Sequence, residues 1–265
     1  METIVLTGAA GLVGSVLRGP LRAEARRLVL VDREPLTAEA ANEEVRQADL
    51  SSAEDVAAVI EGADGVVHLA GIPDEAPLPD LLQANVLGAH HVLEAARLTG
   101  VRRVVLASSN RLTGLYPATR TVSPQDPVRP DGLYGVSKAA VEALGRLYAD
   151  KFGLEVVCLR IGSLEPEPTE ARHLATWLSP RDCAGFVLAA LRHPGVRFAA
   201  AYAVSANTRA FWELPDELGY RPVDDAEGYR IEGAESFFTE GTPQGGDFAT
   251  PGYTLLRGRL PTASA

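Results

Sequence analysis

The stretch "TIVLTGAAGLVG", residues 3 to 14, decides how the rest of the chain is read. A run of apolar and β-branched residues leads straight into Gly8, and Gly11 and Gly14 follow at three-residue spacing, where a helix would begin. A strand that turns on glycine into a helix leaves the first N–H groups of that helix unpartnered, a ready seat for a pyrophosphate. Three glycines alone are weak evidence; their place at the head of the first strand–helix unit gives them weight. On this reading Gly8, Gly11, Leu12, Val13 and Gly14 bind the phosphates of a dinucleotide.

The next run, "RLVLVD", ends at Asp32, 18 residues beyond Gly14, close to the spacing at which an acid accepts hydrogen bonds from an adenosine ribose. An acid there repels a 2′-phosphate, so NAD is expected rather than NADP, although Arg33 beside it softens the discrimination. Further strands are predicted at "VRQADL", "GVVHLA", "RVVLASS", "EVVCLRI" and "FAAAYAVS". Their near-continuous apolar character suits strands covered on both faces. Between them, "LLQANVLGAHHVLEAARLTG" and "LYGVSKAAVEALGRLYADKFG" carry helical periodicity and each closes on a glycine.

The expected fold is therefore α/β, a doubly wound parallel (Rossmann) sheet with a small C-terminal substrate-binding lobe. Residues 1–162 form the dinucleotide-binding core. Residues 163–265 supply the lobe, the last helix and strand of the core, and a turn-rich tail expected to be disordered or draped over a neighbour. The carboxyl ends of the strands border the ligand crevice in such a sheet, which adds Asp49, Leu50, Leu69, Ala70, Gly71 and Ile161 to the cofactor candidates.

Composition narrows the function. The charge balance of 25 basic against 35 acidic side chains is −10, and no dense basic run is present to neutralise a phosphate backbone, so nucleic acid is not an expected partner. No basic leader precedes an apolar stretch and nowhere do 18 apolar residues run together, so a cytoplasmic protein without a membrane partner is expected. Cys158 and Cys183 lie in apolar runs without metal-ligand spacing, and His68, His90 and His91 form no ligand set, so no metal is expected.

The chemistry is carried by "PDGLYGVSK", residues 130 to 138. Asp131 is placed to cap a helix beginning near Gly132 or Leu133, which puts Tyr134 and Lys138 at i and i+4 on one face, about 6 Å apart along the axis. A phenol with an ordinary pKa near 10 needs about 4 kcal/mol of preferential stabilisation to ionise near pH 7, which a neighbouring ammonium can help supply. Lysine's compact charge suits that task better than arginine's fork, and this chain has only two lysines among its 25 basic residues. Ser108 and Ser109 end the fifth strand and offer the hydroxyl that would orient a substrate oxygen, while Asn85 would brace the lysine through a water.

These motifs together resemble the extended short-chain dehydrogenases/reductases, in their NAD-dependent epimerase/dehydratase branch. The resemblance selects Ser109, five residues before Gly114 and 25 before Tyr134, as the catalytic serine. More narrowly, "LASSNRLTGLYP", "RPDGLYGVSK", "LRIGSLEPEP" and "HLATWLS" resemble the uronate dehydrogenases over about residues 3 to 240. That likeness implies NAD-dependent oxidation at C1 of a hexuronic acid to an aldarolactone, with Tyr134 as base and Lys138, Ser109 and Asn85 completing the catalytic set. Ser109, Asn110, Arg111, Tyr134, Ser163 and Arg172 would contact the sugar acid, Arg172 gripping its C6 carboxylate. It also implies a homo-oligomer. Two positions depart from the family pattern, Arg111 for histidine and Pro73 for serine, which leaves a different sugar or sugar-acid 1-dehydrogenase as an alternative. A nucleotide-sugar epimerase or dehydratase is the other, disfavoured by the roughly 100 residues left after the sixth strand.

Overall fold

Alternate residues of the central strands enter two separate apolar layers. In β1 (Thr3–Thr7), Ile4 and Leu6 join one layer and Val5 the other; in β2 (Arg27–Asp32), Leu28 and Leu30 face the first, Val29 and Val31 the second. A strand buried on both faces has no polar side to show, and this is why these runs read as unbroken apolar segments. The computed structural model describes residues 1–214 and 216–260.

After β1 and α1 (Leu12–Glu24) come β2, β3 (Glu43–Gln47), α2 (Ala53–Ile60) and β4 (Gly65–His68). One helical segment follows, made of α3 (Leu78–Leu81), a π-helical stretch (Leu82–Leu87) and α4 (Gly88–Thr99). Then come β5 (Arg103–Ser109), α5 (Leu133–Phe152) and β6 (Glu155–Ile161). The chain continues through β7 (Ser163–Leu164), α6 (His173–Thr176), β8 (Trp177–Leu178), α7 (Pro180–Arg192), β9 (Phe198–Ala203) and α8 (Pro251–Arg257). Seven strands pair in parallel in the order β3-β2-β1-β4-β5-β6-β9, a doubly wound Rossmann-type sheet. The order reverses direction between β1 and β4, and the crevice at that switch point lies beyond the strands' carboxyl ends.

Helices α1 and α7 cover one face through Leu17, Leu21, Phe186 and Leu191; α2, α4 and α5 cover the other through Ile60, Val92, Leu93 and Val141. Helices α4 and α5 end on Gly100 and Gly153, both left-handed, as the terminal glycines predict. Strands β1, β2, β5 and β6 coincide with the predicted runs. Strand β3 does not: it begins two residues before the predicted start, because buried Glu43 is paired with Arg18 at 2.6 Å and aligned with Leu28, and it ends at Gln47 opposite Asp32. Strands β4 and β9 are shorter than their apolar runs, so Leu69 and Ala70 follow the strand rather than belong to it.

The tail is the larger correction. Within the described residues it packs on its own chain: the Gln244 and Gly245 N–H groups donate to Tyr116 and Gly114 carbonyls, each at 2.8 Å, and α8 follows. Residues 261–265 lie outside the described residues.

Behind the carboxyl edge a buried ion pair ties α5 to the sheet. Arg160 of β6 donates from Nε and Nη2 to the two oxygens of Glu142, both at 2.9 Å, and the Ser108 hydroxyl donates to Glu142 Oε1 at 2.6 Å. Removing one partner of such a pair strands the other in a low-dielectric interior. Glu142→Ala is expected to cost about 3–5 kcal/mol, read as a lower urea midpoint, with Glu142→Gln losing less because it keeps a hydrogen-bonding oxygen.

Candidate functional site

The glycine turn is built by close approach. Gly8 sits at φ +72°, and a Cβ there would stand 2.7 Å from the Ala70 nitrogen; a Cβ on Gly14 would meet the Gly8 carbonyl oxygen at 2.4 Å. Gly11 opens α1 with no side-chain cap and no acid in the first turn, so the N–H groups around Leu12 and Val13 are presented beside exposed Leu12. Asp32 is anchored next to this turn: its Oδ2 accepts the Ala10 N–H at 2.9 Å and its Oδ1 the Glu34 N–H at 3.1 Å. An uncapped helix N-terminus, glycines that admit no Cβ and a fixed acid beside them fit a dinucleotide.

Leu50, Leu69 and Ala70 are half-buried after β3 and β4, and Ile161 is half-buried at the end of β6. Gly71 is exposed at φ +151°, where a Cβ would strike Asn85 Oδ1. Asp49 is exposed in the turn after β3 and accepts the Ser51 N–H at 3.1 Å; Arg33 is exposed. His91 reaches the Leu50 carbonyl at 2.9 Å, and both cysteines are buried. Among the described residues no group of three or more His, Cys, Asp or Glu is placed to hold a metal ion, and no helix is long and apolar enough to cross a membrane.

The helix that carries Tyr134 and Lys138 is seated differently from the sequence expectation. Asp131 does not cap it. Gly132 takes the N-cap position, and the carboxylate of buried Glu75 accepts the N–H groups of Leu133 at 2.7 Å and Tyr134 at 3.2 Å. Asp131 instead accepts Arg111 Nε at 2.8 Å, so its charge is committed elsewhere. Tyr134 and Lys138 are both buried, and Lys138 Nζ donates to the Ala107 carbonyl at 2.9 Å while lying 5.7 Å from the Tyr134 ring centre.

Burial governs the titration of this group. It pushes the Tyr134 phenol up to about 12, against a hydrogen bond from Ser109 and the charge of Arg111, which favour the phenolate. It brings Lys138 down to about 8. Ser109 also accepts the Arg111 N–H at 3.2 Å and starts the 3-10 turn Asn110–Thr113, with Asn110 buried beside it. Asn85 lies in the π-helical stretch: its Oδ1 accepts the Ile72 N–H at 2.8 Å and its Nδ2 donates to the Ile72 carbonyl at 3.2 Å and to Ser137 at 3.0 Å. It thus fastens the loop after β4 to the helix of Tyr134, and among the described residues it forms no hydrogen bond with Lys138.

Two buried arginines complete the site, with opposite surroundings. Arg172 donates from Nε to the Gln244 carbonyl at 2.8 Å and from Nη1 to Ser163 Oγ at 3.0 Å, and the Ser163 hydroxyl also meets Thr176 Oγ1 at 2.8 Å. It forms no salt bridge among the described residues, and burial lowers its pKa to about 10. Arg111, expected to meet the sugar, has every guanidinium nitrogen on a carboxylate: Nε on Asp131 at 2.8 Å, Nη1 on Asp74 at 2.8 Å and Nη2 on Glu75 at 3.3 Å. The Phe248 ring faces both guanidiniums, 4.6 Å from Arg111 and 5.3 Å from Arg172. Asp74, Glu75, Gln244 and Phe248 carry no local sequence signal, because each acts on a partner more than 30 residues away.

Residues 4–181 match the model of the NAD dependent epimerase/dehydratase family. Uronate dehydrogenase of Agrobacterium fabrum is 43% identical over 92% of this chain and 91% of its own. The chain belongs to the NAD-dependent epimerase/dehydratase family. Among solved structures, glucuronic acid dehydrogenase from Chromohalobacter salexigens superposes with a TM-score of 0.89 at 39% identity, covering 96% of this chain and 98% of that one. A mutant uronate dehydrogenase of Agrobacterium tumefaciens complexed with NAD superposes with a TM-score of 0.86 at 41% identity, covering 94% and 97%.

Burial also governs how the end of β4 responds to acid. His68, at the end of β4, is buried with Nδ1 2.8 Å from Thr7 Oγ1, and burial, reinforced by Lys138, brings its pKa down to about 3. Its folded value lies below the unfolded value of 6.5, so the unfolded chain binds the proton first and stability falls as pH drops through the interval from 6.5 to 3. The loss is expected to reach about 2 kcal/mol between pH 6.5 and 5, measured by urea unfolding, and His68→Gln should flatten that limb.

Proposed function

We propose that the chain is an NAD-dependent uronate dehydrogenase, oxidising the C1 hydroxyl of a hexuronic acid of the galacturonate or glucuronate type to an aldarolactone. The observation that carries this reading is Arg172: a buried guanidinium held by neutral oxygens is a cation awaiting an anion, and its planar fork matches a carboxylate. NAD held by the glycine turn and Asp32 would supply the acceptor for the C1 hydride. Tyr134 takes the C1 hydroxyl proton, Ser109 orients that oxygen, Lys138 holds positive charge beside the phenol, and Asn85 keeps their helix in register. The hydroxyl proton and the C1 hydride leave together, so the ring carbon becomes the lactone carbonyl.

In this reading Gly8, Gly11, Leu12, Val13 and Gly14 receive the pyrophosphate, and Asp32 the adenosine ribose. Asp49, Leu50, Leu69, Ala70, Gly71 and Ile161 line the rest of the dinucleotide, with Asn85, Tyr134 and Lys138 at its nicotinamide end. Asn110 and Ser163 hold sugar hydroxyls and Arg172 the C6 carboxylate. Residues 1–162 serve the dinucleotide, and residues 163–265 add the substrate side. A cytoplasmic homo-oligomer belongs to the same proposal, supported by exposed Leu87 at the end of the π-helical stretch, Leu98 on α4, and Leu147 and Phe152 on α5.

Steady NADH formation is expected with galacturonate or glucuronate and not with nucleotide sugars. Turnover of nucleotide sugars without net NADH would assign an epimerase or dehydratase, and NADH from neutral or phosphorylated aldoses a different 1-dehydrogenase. Tyr134→Phe should lose about 1,000-fold in kcat and bind NAD within about twofold of wild type. Arg172→Met should raise the uronate KM about 100-fold, the size of a lost charge-assisted hydrogen-bond pair.

A further inference from the structure

We propose that Arg111 is a positioning residue for the Tyr134 phenol, not a ligand for the sugar acid; this rests on the uronate dehydrogenase reading of the site. Its three nitrogens are already engaged by Asp131, Asp74 and Glu75, and its side chain is 6% exposed, so an incoming carboxylate would have to displace an acid already paired with it. Its guanidinium carbon lies over the Tyr134 ring, 5.3 Å from the centre, and over Phe248 and Tyr253 at 4.6 and 5.4 Å. The cation is thus sandwiched between the catalytic ring and the C-terminal segment, in direct contact with the group it would tune.

The acids around Arg111 extend its hold. Glu75, on Arg111 Nη2, also accepts the Leu133 and Tyr134 N–H groups, so one carboxylate fixes both the guanidinium and the first turn of α5. Asp74, on Nη1, accepts the Tyr253 hydroxyl at 2.7 Å and Arg257 at 2.5 Å, which fastens α8 to the same knot. Asp131, on Nε, lies between Gly114 and Gly245, where a Cβ on either glycine would come within 2.5 Å of its Oδ2. Arg111 and Arg257 share the acids Asp74, Glu75 and Asp131, whereas Arg172 has no carboxylate contact among the described residues.

The polar and charged groups around Tyr134 are therefore Ser109 at the end of β5 and Arg111 after it, Asp74 and Glu75 after β4, Asp131 before α5, Lys138 one turn on, His68 at the end of β4, and Tyr253 with Arg257 on α8. Among them Arg111 favours the phenolate, while Asp74 and Asp131 oppose it. Arg111 and Asp74 should move the phenol in opposite directions.

The test is a tyrosine 13Cζ NMR titration of the NAD-loaded protein, with the Tyr134 signal assigned by its loss in Tyr134→Phe, alongside the pH profile of kcat and the uronate KM. Arg111→Met should raise the Tyr134 midpoint by about one pH unit. Asp74→Asn should lower it by about half a unit, and Arg111→Lys should return it close to wild type with kcat still reduced about tenfold, since an ammonium cannot hold three acids. The uronate KM should change less than about threefold in all three variants, because the carboxylate grip is not touched. A KM raised tenfold or more with an unmoved midpoint would make Arg111 a substrate ligand and overturn the proposal. If Arg111→Met does not fold, the opposed Asp74→Asn shift and the Arg111→Lys restoration still decide. If wild type turns over no uronic acid, the functional reading fails while the NMR midpoints still judge Arg111.

Discussion

Helix α5 sinks three polar side chains, Tyr134, Lys138 and Glu142, in one stripe against the carboxyl end of the sheet, and the site exists only because each finds its partner there. Residues four apart share a helix face, so placing one places all three. Glu142 binds Arg160 and Ser108, Lys138 binds the Ala107 carbonyl, and Ser109 favours the Tyr134 phenolate. Strand β5 thus answers every position of the stripe with a neighbouring residue: Ala107, Ser108, Ser109. A slip of the helix by one residue would bury a charge without a partner, which costs more than the site could recover elsewhere.

The two buried arginines show how the same residue serves opposite ends. Burying a guanidinium is unfavourable unless its charge is met. Arg111 is met within the chain, so burial is outweighed and its pKa is raised by Asp131, Asp74 and Glu75. Among the described residues Arg172 donates to a carbonyl and a hydroxyl and pairs with no acid, and burial lowers its pKa. The contrast separates structure from recognition better than residue type does. An arginine whose fork is full holds its surroundings in place, and one whose fork faces neutral oxygens is poised for an anion.

The sequence made the sheet legible because strands buried on both faces write long apolar runs, and the Tyr134–Lys138 pair legible because helical spacing is local. Strand β3 was less so, since its first residue, Glu43, is buried by an ion pair to Arg18 rather than by apolar character. The cap of α5 was misread for a related reason. Asp131 sits where a local cap should be, but Glu75, 58 residues from Leu133, takes the role, and no local pattern reports a partner that distant. The tail was misjudged because turn-rich composition describes backbone shape and not what the segment rests on; Gln244, Phe248 and Tyr253 acquire roles only through Arg172, Arg111 and Asp74.

Pro73 and Arg111, where the resemblance leads one to expect serine and histidine, act on one cluster in three dimensions. Pro73 immediately precedes Asp74 and Glu75, both of which grip Arg111. A proline fixes its own φ and has no N–H to offer, so it stiffens the approach to those acids while removing a donor from the loop. Within that loop Asp74 Oδ1 accepts the Glu75 N–H at 2.7 Å, which draws the two acids into one turn. A histidine at position 111 could not hold three carboxylates at once, having two ring nitrogens, and the acids would then repel one another beside the Tyr134 phenol. The arginine, the proline and the two acids form a mutually dependent set, and α8 is tied to it through Asp74. In this chain the wall behind Tyr134 is an ion-paired knot closed by the C-terminal segment, and Arg172 stands apart from it, donating to the Gln244 carbonyl and to Ser163.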